Sequence, residues 1–246
     1  MTDMQMIDRG DGIRLAARFR PGSGPVIIFL PGYASDMTGD KASALDQWAA
    51  AQGRAMLRLD YSGCGESEGA FLDGTLTRWR DDAAFLISHF VPDAPLLLVG
   101  SSMGGWIGLL LAEALGSRVA AMIGIAAAPD FTEWSFGPAE RAALVDATLV
   151  RASPYMADPM AFTRAFWESG QASLMLDRPI AIDAPVRLLH GQRDESVPEA
   201  IALRTAAALR SADVQVTLVK DGDHRLSRPQ DLDLLVRTVA SLGASA

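Results

Sequence analysis

The sequence predicts an α/β protein: a mostly parallel sheet with helices on both faces. Three observations predict it. Short, nearly continuous apolar runs alternate with longer amphipathic stretches. The apolar runs are too short for helices and end in Gly, Pro, Ser or Asp. The chain of 246 residues is long enough for one large domain with a substantial core. Strands that are apolar along their whole length, rather than at every second residue, are covered on both faces, and that is the signature of parallel sheets.

The elements follow in order. "VIIFLP" (26–31), "AMLRLDY" (55–61), "LLLVGS" (96–101), "AMIGIAAA" (121–128), "VRLLHG" (186–191) and "VQVTLV" (214–219) read as buried strands. Helical stretches lie between and after them, at roughly 39–52, 74–90, 104–116, 199–210 and 229–242. In the last, Pro229 sits at a first helical turn, where its missing N–H costs nothing. Residues 130–182 break the alternation and are too long for a simple crossover. They hold helix-like pieces at roughly 138–151 and 159–169 and seven of the aromatic residues: Phe131, Trp134, Phe136, Tyr155, Phe162, Phe166 and Trp167. The expected organisation is a core of 1–129 and 183–246 with a cap or lid inserted at 130–182. Of its aromatics, Trp134, Phe136, Phe166 and Trp167 are the candidates to line a partly apolar substrate pocket.

Composition narrows the functional classes. Apolar residues make up 49% and charged residues 21%, an ordinary globular balance. A net charge of −8 with scattered basic residues argues against a nucleic-acid partner. No basic-then-apolar leader opens the chain and no long uncharged apolar window exists, so neither a signal peptide nor a membrane span is expected. Cys64 is the only cysteine, which excludes an intramolecular disulfide and fits a reducing, cytoplasmic setting. His89, His190 and His224 are far apart and lack cysteine partners, so no metal site and no cofactor are expected. Monomer and dimer are equally open.

Two segments match Gly-x-Ser-x-Gly, the pattern around many nucleophilic serines: "GESEG" (65–69) and "GSSMG" (100–104). The pattern is weak alone, since chance supplies about 0.14 matches in a chain of this composition. Context separates the two. "PLLLVGSSMGGWIGLLLAEALG" supplies a strand, a tight turn at Ser102 and then an apolar helix whose amides point at the serine oxygen. "GESEG" has no helix directly after it, and Glu66 and Glu68 would oppose an oxyanion beside Ser67. Ser101 lacks glycines two residues to either side. Ser102 is therefore the candidate nucleophile.

A serine needs a base held by an acid, in the chain order Ser, Asp or Glu, His for this topology. That order excludes His89. His224, in the polar loop "VKDGDHRLSRPQ" after the last strand, is preferred over His190, which ends a strand. Asp194, just beyond a strand in "RLLHGQRDESVP", is the preferred acid. Glu195 is its neighbour, and Asp130 in "AAAPDF" is the main rival. Asp221 and Asp223 lie too close to His224 in sequence to aim well at its ring. An oxyanion hole would combine the amides of Met103 and Tyr33, the latter in "FLPGYASDMTGDKA" after Gly32.

"FLPGYASDMTGDKA", "LRLDYSGCGESEGAF", "LVGSSMGGW", "RLLHGQRDESVP" and "DGDHR", in that order, resemble the α/β-hydrolases of the abhydrolase-domain group. That branch includes the mitochondrial palmitoyl-protein thioesterases that are also acyl-glucuronide deacylases. The likeness covers most of the chain and is weakest at 130–182; "SDMTGDKA" is its most specific part. It implies an α/β-hydrolase fold, Ser102, Asp194 and His224 as the triad, a structural role for Ser67, and an ester- or thioester-cleaving serine hydrolase acting on a small-molecule or acyl-protein substrate. Organellar members carry a transit peptide and this chain begins almost at the domain, so a bacterial cytoplasmic relative is expected. The alternatives are a general carboxylesterase on small to medium acyl esters and a non-catalytic binding protein on a hydrolase scaffold.

Overall fold

The computed structural model describes residues 2–152 and 159–243. An eight-stranded sheet organises them. Its strands are β1 (Gln5–Asp8), β2 (Arg14–Arg20), β3 (Ser23–Leu30), β4 (Arg54–Leu59), β5 (Leu96–Ser101), β6 (Val119–Ile125), β9 (Val186–Gly191) and β10 (Val214–Val219). The spatial order is β1-β2-β4-β3-β5-β6-β9-β10, antiparallel for the first two pairings and parallel from β4 onward.

The central strands form because their side chains are apolar on both faces. Leu96, Leu97, Leu98 and Val99 of β5 are each at most 1% exposed. Burying such a side chain stabilises the fold by roughly 1.5–3 kcal/mol. Helices α1 (Asp40–Ala51) and α8 (Pro229–Gly243) cover one face. Helices α2 (Leu76–Phe90), α3 (Met103–Leu115) and α7 (Glu199–Ala208) cover the other. Thr75 caps α2, its hydroxyl accepting from the Arg78 amide at 3.1 Å. All five helices lie within two residues of their expected bounds.

The sheet extends one hairpin further than the sequence reading. β1 and β2 pair across "RGDGI", where Gly10 and Gly12 take φ of 89° and 85° and Asp8 accepts the Gly10 amide at 2.8 Å. β6 ends at Ile125 instead of residue 128, because Ala126 and Asp130 turn the chain with φ of 45° and 58°.

Between β6 and β9 lie α4 (Phe131–Trp134), α5 (Pro138–Ala143), the antiparallel hairpin of β7 (Leu149–Arg151) and β8 (Met160–Phe162), and α6 (Arg164–Gln171). Of the helix-like pieces expected at roughly 138–151 and 159–169, helix forms at 138–143 and 164–171, and strands take 149–151 and 160–162. Backbone pairing with 160–162 makes 149–151 a strand, and Arg151 anchors it. Its guanidinium bonds both carboxylate oxygens of Glu140 at 2.8 Å, bonds Ser135, and sits 4.2 Å from the Phe136 ring centre. That grip ties β7 to α5 and to Ser135. Tyr155, expected with the other aromatics of this segment, lies outside the described residues.

Candidate active site

The candidate residues gather where β3, β5, β9 and β10 end, the edge at which parallel sheets place their ligands. Ser102 joins β5 to α3 with φ 53° and ψ −118°. A non-glycine residue in such a conformation costs on the order of 1–3 kcal/mol and persists only where its surroundings impose it. They do so here. The Ser102 amide donates to Ile125 at 2.9 Å, and its carbonyl accepts from Gly105 at 2.9 Å and Ala128 at 3.1 Å. A Cβ on Gly104 would collide with the Leu30 carbonyl, so only glycine lets α3 begin this close to the end of β3. The loop after β3 therefore passes beside the serine, and a Cβ on Gly32 would lie 3.5 Å from that of Ser102.

The loops after β9 and β10 are locked together. A Cβ on Gly191 would strike the Gly222 backbone, and Gly222 accepts the Arg193 amide at 2.8 Å. This contact brings Asp194 to His224. His224 Nδ1 donates to Asp194 Oδ2 at 2.8 Å, which leaves Nε2 of the neutral ring to accept from the Ser102 hydroxyl, 3.1 Å away. The other oxygen of Asp194 accepts the amides of Ser196 and Val197, each at 2.8 Å. Burial alone would raise the pKa of this carboxyl. The hydrogen bond and charge of His224, with the two amides, outweigh burial and hold it below the ordinary carboxylate range. Lys41, whose ammonium burial lowers to about 8, donates to the carbonyl of Arg225 at 2.5 Å and so ties the loop carrying His224 to α1.

The other candidates lie elsewhere or do other things. His190 is 1% exposed, and its Nε2 donates to the Val197 carbonyl at 2.8 Å beneath the Asp194 loop. His89 is exposed near the end of α2. Asp130 accepts the amides of Met175 and Leu176, with burial raising its pKa. Asp221 pairs with Arg228, and Asp223 accepts the Leu226 amide at 3.0 Å. Ser67 is buried, with Oγ accepting from Ala16 and donating to the Asp60 carbonyl, both at 2.8 Å. Burial pushes the Cys64 thiol up to about 12, leaving it protonated. Among the described residues no group of three His, Cys, Asp or Glu side chains could hold a metal ion.

A cavity of about 550 Å³ opens over Ser102 and His224. Tyr33, Met103, Phe131, Trp134, Met160 and Phe162 give it an apolar side; Asp36, Lys41, Glu195 and Arg225 give it a polar one. Of the four pocket candidates, Trp134 lines it. Phe136, Phe166 and Trp167 do not, which corrects the sequence reading. Phe136 and Phe166 are 3% and 1% exposed and pack behind the wall, while the Trp167 indole N–H is spent on the Thr132 carbonyl at 3.1 Å. The wall itself is formed by Phe131 and Phe162, which the sequence marked only as members of the aromatic group. Lys41 and the Gly191–Gly222 contact were also missed. "SDMTGDKA" was a signal for the lysine, but nothing local signals the glycine pair.

A strand–serine–helix turn with an imidazole and a buried carboxylate in line behind it, at the end of a parallel sheet, is the architecture of a hydrolase. The chain belongs to the alpha/beta hydrolase family, whose model matches residues 27–237. It is 37% identical to the human mitochondrial palmitoyl-protein thioesterase ABHD10 over 98% of this chain and 80% of that protein. Among solved structures, a protein of Agrobacterium vitis S4, named only in general terms as a hydrolase, superposes with a TM-score of 0.91 at 42% identity, covering 99% of this chain and 98% of that one. Mouse alpha/beta hydrolase domain-containing protein 10 superposes with a TM-score of 0.90 at 35% identity, covering 98% of each chain. No helix among the described residues is long and apolar enough to cross a membrane.

Proposed function

We propose that this hydrolase cleaves carboxylic ester or thioester bonds of acyl substrates through a covalent acyl-enzyme, with thioesters preferred. The observation that carries the reading is the line from Ser102 through His224 to Asp194, at 3.1 and 2.8 Å. His224 removes the hydroxyl proton as Oγ attacks the carbonyl carbon. Asp194 holds the imidazole in its tautomer and stabilises the imidazolium. The amides of Met103 and Tyr33 receive the oxyanion. His224 then returns the proton to the leaving group and activates the water that releases the acid. In the same proposal, residues 130–182 form a cap whose hairpin and α4 face the acyl chain.

The thioesterase reading is supported by likeness over 98% of this chain to proteins named palmitoyl-protein thioesterases. A general carboxylesterase is the second reading, favoured by the moderate cavity with its mixed polar and apolar walls. Rates on an acyl series from acetyl to palmitoyl, as oxygen and sulfur esters, decide between them. Rising kcat/KM toward long thioesters supports the first; a maximum at acetyl rejects it. A cytoplasmic setting belongs to the proposal as well, resting on the lone Cys64. The relatives are named mitochondrial, and localisation of the tagged protein in its native cell decides the point.

A further inference from the structure

We propose that Tyr33 is a positioning residue, whose side chain locks the oxyanion-binding backbone to the acyl-facing wall of the cavity. The inference rests on the acyl-transfer reading above and deepens it.

Tyr33 belongs to two parts of the site at once. Its amide follows Gly32, beside Ser102. Its side chain reaches the inserted segment. The ring stacks on Phe162 of β8 with centroids 4.6 Å apart and planes 21° from parallel. It meets Phe166, Phe71 and Trp79 closer to edge-on at 5.0, 5.2 and 5.6 Å. Beyond the ring, the hydroxyl donates to the backbone carbonyl of Ala161, also in β8. The phenol is thus held on its face, on its edges and at its tip.

Phenylalanine would make the same ring contacts, so the packing alone does not call for tyrosine. The hydroxyl supplies what packing lacks, a directional bond to the main chain of the hairpin. Burial, with a smaller contribution from Cys64, raises the phenol pKa, so it remains a donor throughout the working pH range. Backbone rotation at Tyr33 that turned its N–H away from the oxyanion would carry the ring off Phe162 and break the bond to Ala161. The neighbours of Ala161, Met160 and Phe162, line the cavity. The wall that receives the acyl chain and the amide that receives the oxyanion therefore share one rigid link.

The test is Tyr33→Phe, with kcat and KM measured separately on p-nitrophenyl acetate and octanoate, alongside the rate of labelling by a fluorophosphonate. A small misplacement of an oxyanion donor costs mainly in the transition state. We expect kcat to fall about tenfold while KM stays within about twofold. Labelling should slow in step, because the phosphonyl oxygen needs the same amides. Phe162→Leu keeps the hydroxyl bond and loses the stack; its kcat should fall in the same direction by less. A wild-type kcat in Tyr33→Phe, or a change confined to KM, overturns the inference. Ser102→Ala in the same assay separates the two layers. If it stays active, the acyl-transfer reading fails; if it is dead while Tyr33→Phe matches wild type, only the role of Tyr33 fails.

Discussion

Two loops of this molecule carry the same five-residue pattern and use serine in opposite ways. At Ser67 the hydroxyl is consumed by the fold, joining the Ala16 amide to the Asp60 carbonyl. Glycines with φ of 74°, 51° and 107° at 63, 65 and 69 fold the loop tightly around it. At Ser102 the main chain is satisfied by main chain, and the hydroxyl alone is left to face an imidazole. Left-handed backbone falls on the serine itself in the second loop, where it is strained, and on neighbouring glycines in the first, where it is not. The lesson is that the pattern specifies a tight turn. What the serine does is decided by where its oxygen finds its partners.

Four substitutions would break or sharpen that contrast. The largest effect is expected from Ser102→Ala, which should lower kcat on p-nitrophenyl esters by about 10⁴-fold or more with the fold intact, as read by initial rates and circular dichroism. Asp194→Asn should follow, with a kcat loss of about 10³- to 10⁴-fold, because the amide can present an N–H to Nδ1 and favour the wrong tautomer. A loss under tenfold would move the acid elsewhere. The third lies beneath the Ser67 loop. Asp60 accepts the amides of Met37 and Glu66, yet burial, its largest influence, pushes it up to about 6. A raised carboxyl binds its proton more tightly folded than unfolded. Its contribution to stability is therefore complete below the unfolded value near 3.8 and is lost as pH rises through about 6. Urea unfolding of wild type against Asp60→Asn between pH 4 and 7 should show this dependence as the difference between the two proteins, up to about 3 kcal/mol. The smallest effect belongs to Ser67→Ala. It should leave kcat within about twofold and cost roughly 1–3 kcal/mol of stability, by stranding the Ala16 amide.

The central strands and the helices between them were legible because each is buried in a way that leaves a run or a stripe in the sequence. Ser102 was legible for the same reason, since its strand and helix announce the turn. The pairing of His224 with Asp194 follows in sequence only from chain order. Their actual meeting depends on the Gly191–Gly222 contact, which joins residues 31 positions apart and has no local signature. The edge hairpin was missed because its outer strand β1 has only four residues and "RLAARFR" of β2 mixes charges among its apolar residues, although "DRGDG" between them was a readable turn signal. The inserted segment misled more. Its amphipathic stretches suit a helix, and 149–151 is a strand through pairing with 160–162, with Arg151 bonded to Glu140 and Ser135. Aromatic content likewise told that the segment packs, without telling which ring faces the cavity and which lies behind it.

The most direct test is to find which serine is chemically reactive. The intact protein would be treated with a fluorophosphonate and digested, and the modified residue located by mass spectrometry. A single phosphonylated site at Ser102, absent from Ser102→Ala and retained by Ser67→Ala, is the expected result. Modification at Ser67 or Ser101, or none in a protein that still hydrolyses esters, would contradict the assignment of Ser102 as nucleophile.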